Sequence, residues 1–439
     1  MLNQADAELV RHDPDIPGLH LLLDPIAFAR KIKELWPQLT LKKIEPTLLR
    51  YQYGQWCVAS FRLTTPDSTI RVYAKAHGND ASLKLLEAKA RSYAAGDEGM
   101  TARILSDFGV IIYAFPNDQK LTSLTHILTE DSQYDLLRSL FPTQATWWTG
   151  TIEPIHYSPE RYLVATLKVD QKPQAIIKLL VPDNYHAAKE SAQQQIENEH
   201  FKRPVLIGSS AEYHALGFTY LPGIHLNKIF AKDQSHADKG VERAGRLLNK
   251  FHQQSLADMS ELSIKDRATE IDEIKQQAEA LAGLSPFLKA PATQLADIMI
   301  EQLERYPEAR TITHGHFIDR HILIANQHTA LLDLDNTYIG DAHADIGFFI
   351  AHIERSVLRG KLNSQQAQNY RQLFLQAYGE APRERVELYT AIGLFKMASH
   401  PFQYREVEWL HQINTLLKRA RRIMININEK DSLAAALAF

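Results

Sequence analysis

The sequence predicts an α+β protein in which a strand-rich unit is repeated once and is followed by a mainly helical second half. Two observations predict this class. Stretches rich in β-branched and aromatic residues recur up to about residue 220, whereas apolar residues at helical spacing dominate the chain after Leu226. A short hairpin flanked by polar residues interrupts those helices after residue 311. We therefore expect a strand-rich lobe and a helical lobe.

The composition is that of an ordinary globular protein. Of its 439 residues, 45% are hydrophobic and 23% are charged, which suits two or three domains. The formal net charge is −3, and the sequence pI is about 6.7. Because the chain has no general basic field, we expect neither a nucleic-acid partner nor a membrane partner.

Cysteine use and the N-terminus indicate the compartment. The one cysteine, Cys57, lies in an apolar, strand-like stretch, so an internal disulfide framework is impossible and a reducing compartment is expected. The N-terminus has neither the basic start nor the apolar segment of a signal peptide, and no run of about 18 apolar residues occurs. These features predict a cytoplasmic protein.

The first strand-rich unit follows a leader, residues 1–43, that is predicted to contain one helix over 25–36. Its first hairpin has the turn Thr65-Pro66-Asp67 and ends at Lys75. The elements expected in this unit are strands over 48–63 and 70–76, a helix over 81–95, and strands near 102–106 and 110–115.

The same succession returns about 106 residues later. The stretch 51–63 aligns with 157–169, with Tyr, Val and Ala at equal spacing, and Lys75 aligns with Lys178. This ordered match predicts an internal duplication, and two unrelated hairpins of similar composition are the alternative. In the second unit we expect a helix over 185–201, strands near 205–207 and 217–220, and a proline turn at 221–223.

The second half of the chain is predicted to be helical. Apolar residues at helical spacing, among them Val241 and Phe251, mark its first helix. The last helix is expected to have a core-facing stripe from Tyr404 to Ala420, and the tail after residue 428 is expected to fray. Further helices are expected at about 263–282, 292–305, 341–357, 364–378, 384–398 and 404–427.

The hairpin after residue 311 carries an unusual density of reactive side chains. Two apolar runs, 322–324 and 330–334, are too short for helices and predict its strands. A Gly-Asp pair at 340–341 then caps an apolar helix, whose N-terminus favours carboxylates. Groups able to handle protons or bind metals flank both strands: His314, His316 and Asp319 before the first, His321 at its start, and Asp333 and Asp335 after the second.

These residues resemble the catalytic core of the aminoglycoside phosphotransferase and choline kinase-like family. The pattern in that family is His-Gly-Asp, then Asn or Gln before a short strand, then Asp-x-Asp/Glu and Gly-Asp-Pro-x-x-Asp. His316 stands where the catalytic Asp belongs, and His321 where the metal-binding Asn or Gln belongs. The resemblance implies a two-lobed, protein kinase-like fold with a degenerate catalytic motif. The matching residues are His314, Gly315, Asp333, Asp335, Gly340, Asp341 and Asp345.

The resemblance also implies an activity, namely ATP-dependent transfer of a phosphoryl group to a hydroxyl of a sugar, amino sugar or amino alcohol. An imidazole with its ordinary pKa of about 6.5 suits a general base near neutrality. Because imidazole is a poor ligand for Mg²⁺ and a better one for Mn²⁺, either cation is expected. The implied catalytic residues are His316, His314 and Asp319, and the implied metal ligands are Asp333, Asp335 and His321.

The second strand-rich unit directly precedes the helical half, so the resemblance assigns nucleotide binding to it. Lys178 lies among apolar neighbours and would bind the phosphates, with Glu197 or, as the alternative, Glu199 as its partner. Tyr220 and Leu221 would face adenine. A Gly-x-x-x-x-Gly-Lys-Ser/Thr motif is absent, which excludes a P-loop NTPase. The predicted domains are an N-terminal cap over 1–140, a small lobe over 141–224 and a helical large lobe over 225–439.

Three functions stay open. The first is a small-molecule kinase with an altered motif. The second is a pseudokinase that binds a nucleotide or a partner without turnover, because two key polar residues are replaced. The third is a metal hydrolase, since His-x-His is a common metal pair. The acceptor is expected near His343, His352 and Glu354, and its identity and the oligomeric state are left open.

Overall fold

The structure is a computed structural model that describes residues 2–78, 96, 99–193, 201–230, 234–256, 262–326 and 328–437, with side chains up to residue 429. Two five-stranded antiparallel sheets occupy the first half of the chain, and helices dominate the second half. The predicted α+β class, with its strand-rich and helical lobes, is therefore confirmed.

The first sheet follows three short helices, Gln4–His12, Leu19–Leu23 and Pro25–Leu35. Its strand order is β1-β2-β3-β5-β4. The single strand predicted over 48–63 is wrong, because the chain reverses at Gly54, whose φ of 68° suits glycine. The helix predicted over 81–95 lies outside the described residues. The strands are β1 Lys43–Gln52, β2 Trp56–Thr64, β3 Thr69–His77, β4 Arg103–Leu105 and β5 Val110–Ala114.

The second sheet has the same strand order, β6-β7-β8-β10-β9, which confirms the duplicated unit. The aligned stretch 157–169 also reverses, at a turn where Glu160 has a φ of 58°. The helix Glu130–Leu140 precedes the sheet, and the helix Pro182–Gln193 follows its third strand. The strands are β6 Thr151–Ser158, β7 Tyr162–Val169, β8 Lys172–Leu180, β9 Leu206–Ser210 and β10 Ala215–Thr219.

Equivalent lysines lie in the third strand of each sheet. Lys75 is opposite Val58 of β2 and Ile111 of β5. Lys178 is opposite Val164 of β7 and Leu216 of β10. Both lysines are therefore on central strands, where a side chain on the open face of the sheet can reach a neighbouring element.

The helical half begins after the two-residue strand β11 Ile224–His225. Four short strands form the polar hairpin region: β12 Thr311–Thr313, β13 Ile322–Ile324, β14 Thr329–Leu331 and β15 Tyr338–Gly340. β13 pairs with β14 as predicted, and β12 pairs with β15. The helices are Leu226–Ile229, Gln234–His252, Arg267–Leu284, Pro286–Arg305, Ala342–Leu358, Ser364–Tyr378, Arg383–Lys396, His400–Gln403 and Trp409–Leu437.

The start of the last helix differs from the prediction. The helix begins at Trp409 rather than at residue 404, because Arg405 and Glu408 have positive φ angles that interrupt helical backbone. Val407 is consequently 84% exposed and does not belong to the core-facing stripe. The helix extends to Leu437, past the predicted end at 427.

Three hydrogen bonds to Asp6 and a shared apolar core hold the leader helices against the helical half. Arg405 donates two hydrogen bonds to the buried carboxylate of Asp6, at 2.9 and 2.6 Å. The Trp409 indole donates a third, at 3.0 Å. Phe28 and Phe61 share one apolar core with Ile274 of the helical half. The predicted domain boundaries at residues 140 and 224 stay predictions.

In the described part of the chain, no helix combines the length and apolar composition needed to cross a bilayer.

Candidate active site

The loop His314-Gly315-His316 is held by the side chain of its own first residue. The His314 ring is fully buried, and its Nε2 donates to the carbonyl of Leu332 at 2.9 Å. Its Nδ1 accepts from the backbone N–H of His316 at 3.2 Å. A nitrogen facing a carbonyl must carry the hydrogen and one facing an N–H must not, so this geometry fixes a neutral tautomer. Since both nitrogens are used, His314 positions the loop.

Asp345 supports the same loop from the first turn of the helix Ala342–Leu358. Its buried carboxylate accepts the backbone N–H groups of His314 and Gly315, at 2.7 and 2.9 Å. A third contact comes from His252 Nε2 at 3.0 Å, and His252 Nδ1 lies 2.9 Å from the Tyr378 hydroxyl. Sequence reasoning missed His252 and Tyr378, which come from helices distant in the chain.

Gly315 is required in this loop for two reasons. Its φ is 77°, a conformation that side chains disfavour, and a Cβ there would collide with the carbonyl oxygen of Asn336. The loop therefore packs directly on the backbone that follows Asp333 and Asp335. This packing brings the two halves of the predicted site together.

Three predicted residues converge beside this loop. The potential ligand atoms of His316, His321 and Asp333 all lie within 4.8 Å of one another. His321 Nδ1 is 2.9 Å from the carbonyl oxygen of His316 and so carries the hydrogen. Its Nε2 is then left with a lone pair 3.5 Å from the Asp333 carboxylate. Two electron-pair donors that face each other in this way fit a cation between them.

Lys178 reaches the same place from β8. Its ammonium is 3.9 Å from the Asp333 carboxylate, forms an ion pair with Asp335, and lies 5.5 Å from the centre of the Tyr162 ring. The side chain is only 14% exposed, and burial lowers its pKa while Asp333 acts in the opposite direction. The predicted partners, Glu197 and Glu199, lie outside the described residues.

The acid and base properties of the site follow from burial. Burial lowers the pKa of His316 to about 4, although Asp333 opposes the shift, so the ring is neutral at pH 7. Burial also lowers the pKa of His321. Burial alone would raise the pKa of Asp333, but His321 and Lys178 together keep it below the usual value. The site therefore contains two neutral imidazoles and an ionised carboxylate.

The other predicted residues are placed less centrally. Asp319 is buried, and its Oδ1 is 3.4 Å from His352 Nδ1. Tyr220 and Leu221 lie in the segment between β10 and β11, where Tyr220 is exposed. His343 is turned to the helix-capping Asp341, at 2.7 Å, and Glu354 is held by Arg419 at 2.7 Å. Of the three residues expected near the acceptor, His352 is the one placed beside another predicted site residue, Asp319.

Comparison with known proteins identifies the region that contains this site. A sequence profile of the phosphotransferase enzyme family (APH) matches residues 180–389. This part of the chain is similar to the phosphotransferase enzyme family. The phosphotransferase region holds the loop at 314–316, the polar hairpin and Asp345, and it begins two residues after Lys178. The two-lobed, protein kinase-like fold expected from the sequence is thereby confirmed. A search of curated protein sequences found no match to the chain.

Several solved structures of phosphotransferases are similar to this chain at low sequence identity. A choline kinase from Cryptosporidium parvum Iowa II has 11% identity and a TM-score of 0.49, with 69% of this chain and 97% of that chain covered. A choline/ethanolamine kinase family protein from Mesorhizobium loti has 16% identity and a TM-score of 0.47, covering 67% and 94%. An aminoglycoside phosphotransferase from Streptomyces rimosus has 14% identity and a TM-score of 0.43, covering 60% and 97%.

Proposed function

We propose that this protein is an ATP-dependent phosphotransferase that phosphorylates a hydroxyl group of a small molecule. The observation that carries the proposal is the meeting of Lys178 with Asp333 and Asp335 next to His316, within and beside the phosphotransferase region. A cation for the phosphates, carboxylates for a metal ion and a proton acceptor are the parts that phosphoryl transfer needs.

Lys178 is the phosphate ligand in this proposal. In the structure its ammonium is paired with Asp335, and its lowered pKa reflects how little solvent reaches it. A bound triphosphate would supply the negative charge that Asp335 supplies here. Tyr220 and Leu221, in the connection between the lobes, are proposed to face adenine, and Glu197 to pair with the lysine.

The donor set fits a divalent cation. Asp333 and His321 face each other at 3.5 Å through two electron-pair donors, and Asp335 is close by on the same turn. Mixed imidazole and carboxylate ligands suit Mn²⁺ or Zn²⁺ better than Mg²⁺, which prefers oxygen ligands. A cation bound there would neutralise charge on the β- and γ-phosphates. We propose Mn²⁺ as the better cofactor and Mg²⁺ as the weaker one.

His316 is the proposed proton acceptor. The acceptor hydroxyl oxygen forms a bond to the γ-phosphorus as the bond from that phosphorus to the β,γ-bridging oxygen breaks. The hydroxyl proton passes to a ring nitrogen of His316, and ADP leaves with the bridging oxygen. Because the pKa of His316 is about 4, its ring is neutral at pH 7. A ring nitrogen therefore has a free electron pair for this proton. His314 and Asp345 position the loop that presents it.

A pseudokinase is the second candidate function, and one observation favours it. A base with a pKa of about 4 takes up a proton only weakly at neutral pH, so His316 is a less effective base than an imidazole of ordinary pKa. In that case the site would bind a nucleotide without turnover.

Turnover assays separate the two functions. We would measure ADP release with ATP, Mg²⁺ or Mn²⁺, and a panel of sugars, amino sugars, amino alcohols and sugar phosphates. The phosphotransferase proposal expects acceptor-dependent ADP release that falls at least 100-fold in His316→Asn. His411→Asn, an exposed site on the last helix, is the matched control. Nucleotide binding without ADP release on any acceptor would favour the pseudokinase.

A further inference from the structure

One face of the helix Ala342–Leu358 extends from the catalytic loop to a group of cations. Phe348, His352, Arg355 and the following Arg359 are spaced by four, three and four residues, so they share one helix face. The Phe348 ring centre is 5.6 Å from that of His316. His352 lies beside Asp319, and the two arginines are one and two turns further along.

The segment 400–406 faces this stripe. Glu406 accepts from Arg355 at 2.8 Å and lies 3.0 Å from Arg359. The Tyr404 ring lies 5.9 Å from the Arg355 guanidinium, and the His400 ring packs on Tyr404 at 5.6 Å between centres. The loop, this helix face and this segment therefore bring a set of polar side chains together, and the region between them is called the recess.

Hydrogen bonding in the recess is incomplete. Within the described residues, two buried side-chain atoms of this region have no hydrogen-bond partner, Arg355 Nε and Glu406 Oε2, whereas Asp319 Oδ1 and His352 Nδ1 face each other at 3.4 Å. Asp319 is 5% exposed and Arg355 is 4% exposed. Buried polar atoms are almost always paired in native proteins, and leaving one unpaired costs about 1–3 kcal/mol. Two such atoms in one recess point to a polar ligand.

The charge of the recess decides what kind of ligand fits. Its cations are Arg355 and Arg359 on the helix face, the exposed Arg320 next to Asp319 in the chain, and the exposed Lys361 two residues after Arg359. Its carboxylates are Asp319 and Glu406. Burial and then Arg359 lower the pKa of Lys361, with Arg320 and Arg355 acting in the same direction and Asp319 against them. Burial lowers the pKa of His400 to about 3, so this histidine adds no charge at pH 7. Four cations thus meet two carboxylates.

We propose that the acceptor is an anionic hydroxy compound whose phosphate or carboxylate group binds between Arg320, Arg355 and Arg359 while its hydroxyl faces His316. Arg355 lies seven residues along the helix from Phe348, which is about 10 Å. A monosaccharide phosphate or a sugar acid has this length. The recess disfavours a cationic acceptor such as choline, because its charge would meet the arginines.

This inference rests on the proposed function only in treating the bound compound as the acceptor of a phosphoryl group from ATP. Binding of the anion does not depend on ATP, so it is tested without nucleotide. Glucose 6-phosphate, gluconate, glucose and choline would be titrated calorimetrically into the full chain. We expect at least one of the two anions to bind at least 10-fold more tightly than glucose and choline. Comparing the affinities of glucose 6-phosphate and gluconate shows whether a phosphate or a carboxylate is preferred. Comparable binding of glucose or choline would overturn the proposal, as would no binding of either anion.

Substitution of two recess arginines tests where the anionic group binds. Arg320→Gln and Arg359→Gln should each weaken anion binding about 10-fold, and both side chains are accessible enough for the fold to tolerate the change. Arg383→Gln, at a side chain that is 78% exposed, is the control and should bind as the natural protein does. Unchanged binding in both recess variants would overturn the proposal. Anion binding that persists in a protein unable to bind ATP would instead contradict the phosphotransferase function alone.

Discussion

Lys75 Nζ lies 2.9 Å from the Glu160 carboxylate, and this ion pair joins the first strand-rich unit to the turn between β6 and β7. The lysine occupies the position in the first sheet that Lys178 occupies in the second. The duplicated position therefore has two different uses, since Lys75 pairs with a carboxylate of the neighbouring strand-rich unit and Lys178 pairs with the carboxylates of the polar hairpin region. The first unit thus contacts the second at this turn, and its role as a cap stays a prediction.

Two further residues of the first unit, Arg50 and Asp118, hold the same turn. Arg50 donates to the Pro159 carbonyl at 2.5 Å. Asp118 accepts from the Tyr157 hydroxyl at 2.6 Å and from the Glu160 backbone N–H at 2.8 Å. The turn follows β6, the edge strand next to β7, which carries the Tyr162 ring that covers Lys178. The first unit is therefore positioned to influence nucleotide binding through this turn.

We predict that Lys75→Met destabilises the protein and weakens ATP binding. The pair is buried, with 12% and 5% of the two side chains exposed, and removing one partner of such a pair costs about 3–5 kcal/mol. Urea unfolding would measure the loss of stability, and calorimetric titration of ATP would measure the loss of affinity. Lys43→Met, which breaks an exposed pair with Glu45, is the control and should cost less than about 1 kcal/mol. Equal losses of stability and of ATP affinity in Lys75→Met and Lys43→Met would show that the Lys75–Glu160 pair has no special role.

Asp345→Asn should loosen the catalytic loop. The amide that replaces one carboxylate oxygen would present N–H donors to the backbone N–H groups of His314 or Gly315, leaving a buried donor unpaired at about 1–3 kcal/mol. We expect lower stability in urea and faster hydrogen exchange at residues 314–316. Asp297→Asn, at an exposed helix position, should change neither. If amide hydrogen exchange at residues 314–316 is as slow in Asp345→Asn as in the natural protein, the carboxylate does not hold the loop.

Stability should fall in mild acid because of His400. Burial lowers its pKa from 6.5 to about 3, so the unfolded chain binds a proton below pH 6.5 whereas the folded protein does not until about pH 3. The stabilising contribution is complete above pH 6.5 and decreases as the pH falls toward 3. At pH 5 the loss is about 2 kcal/mol. Urea unfolding at pH 7 and pH 5 should show a smaller decrease in His400→Asn, and identical decreases would refute the assignment.

Metal preference should depend on His321. Replacing it with Asn supplies an amide oxygen, which suits Mg²⁺ better than an imidazole does. We expect the natural protein to bind Mn²⁺ at least 10-fold more tightly than Mg²⁺ and His321→Asn to reduce this ratio at least threefold, as measured by electron paramagnetic resonance competition. His411→Asn should leave the ratio unchanged. Stoichiometric zinc in protein purified without chelators would favour the hydrolase alternative instead.

The sequence predicted the parts of the site that are close together in the chain. His316, His321 and Asp333 lie around one hairpin, and two apolar runs too short for helices were enough to place that hairpin. The internal repeat led to Lys178, which lies 155 residues before Asp333. Here an ordered succession of elements carried information that composition alone does not contain.

The parts that sequence reasoning missed depend on contacts between distant segments. His252 meets Asp345 across 93 residues, and Arg355 meets Glu406 across 51. Helical periodicity shows which face of a helix is buried, but it does not show which other helix packs there. The turn at Gly54 was missed for a different reason, since a strand-like composition continues on both sides of it.

The central claim is that Lys178 and Asp333 form a nucleotide site. Calorimetric titration of ATP with Mg²⁺ and then Mn²⁺ tests it most directly, using the natural protein, Lys178→Ala, Asp333→Asn and the control Lys168→Ala, a partly exposed lysine in the same sheet. The account predicts metal-dependent binding that weakens at least 10-fold in the first two variants and is unchanged in the control. Absence of ATP binding with either metal, or equal binding in all four proteins, would contradict it.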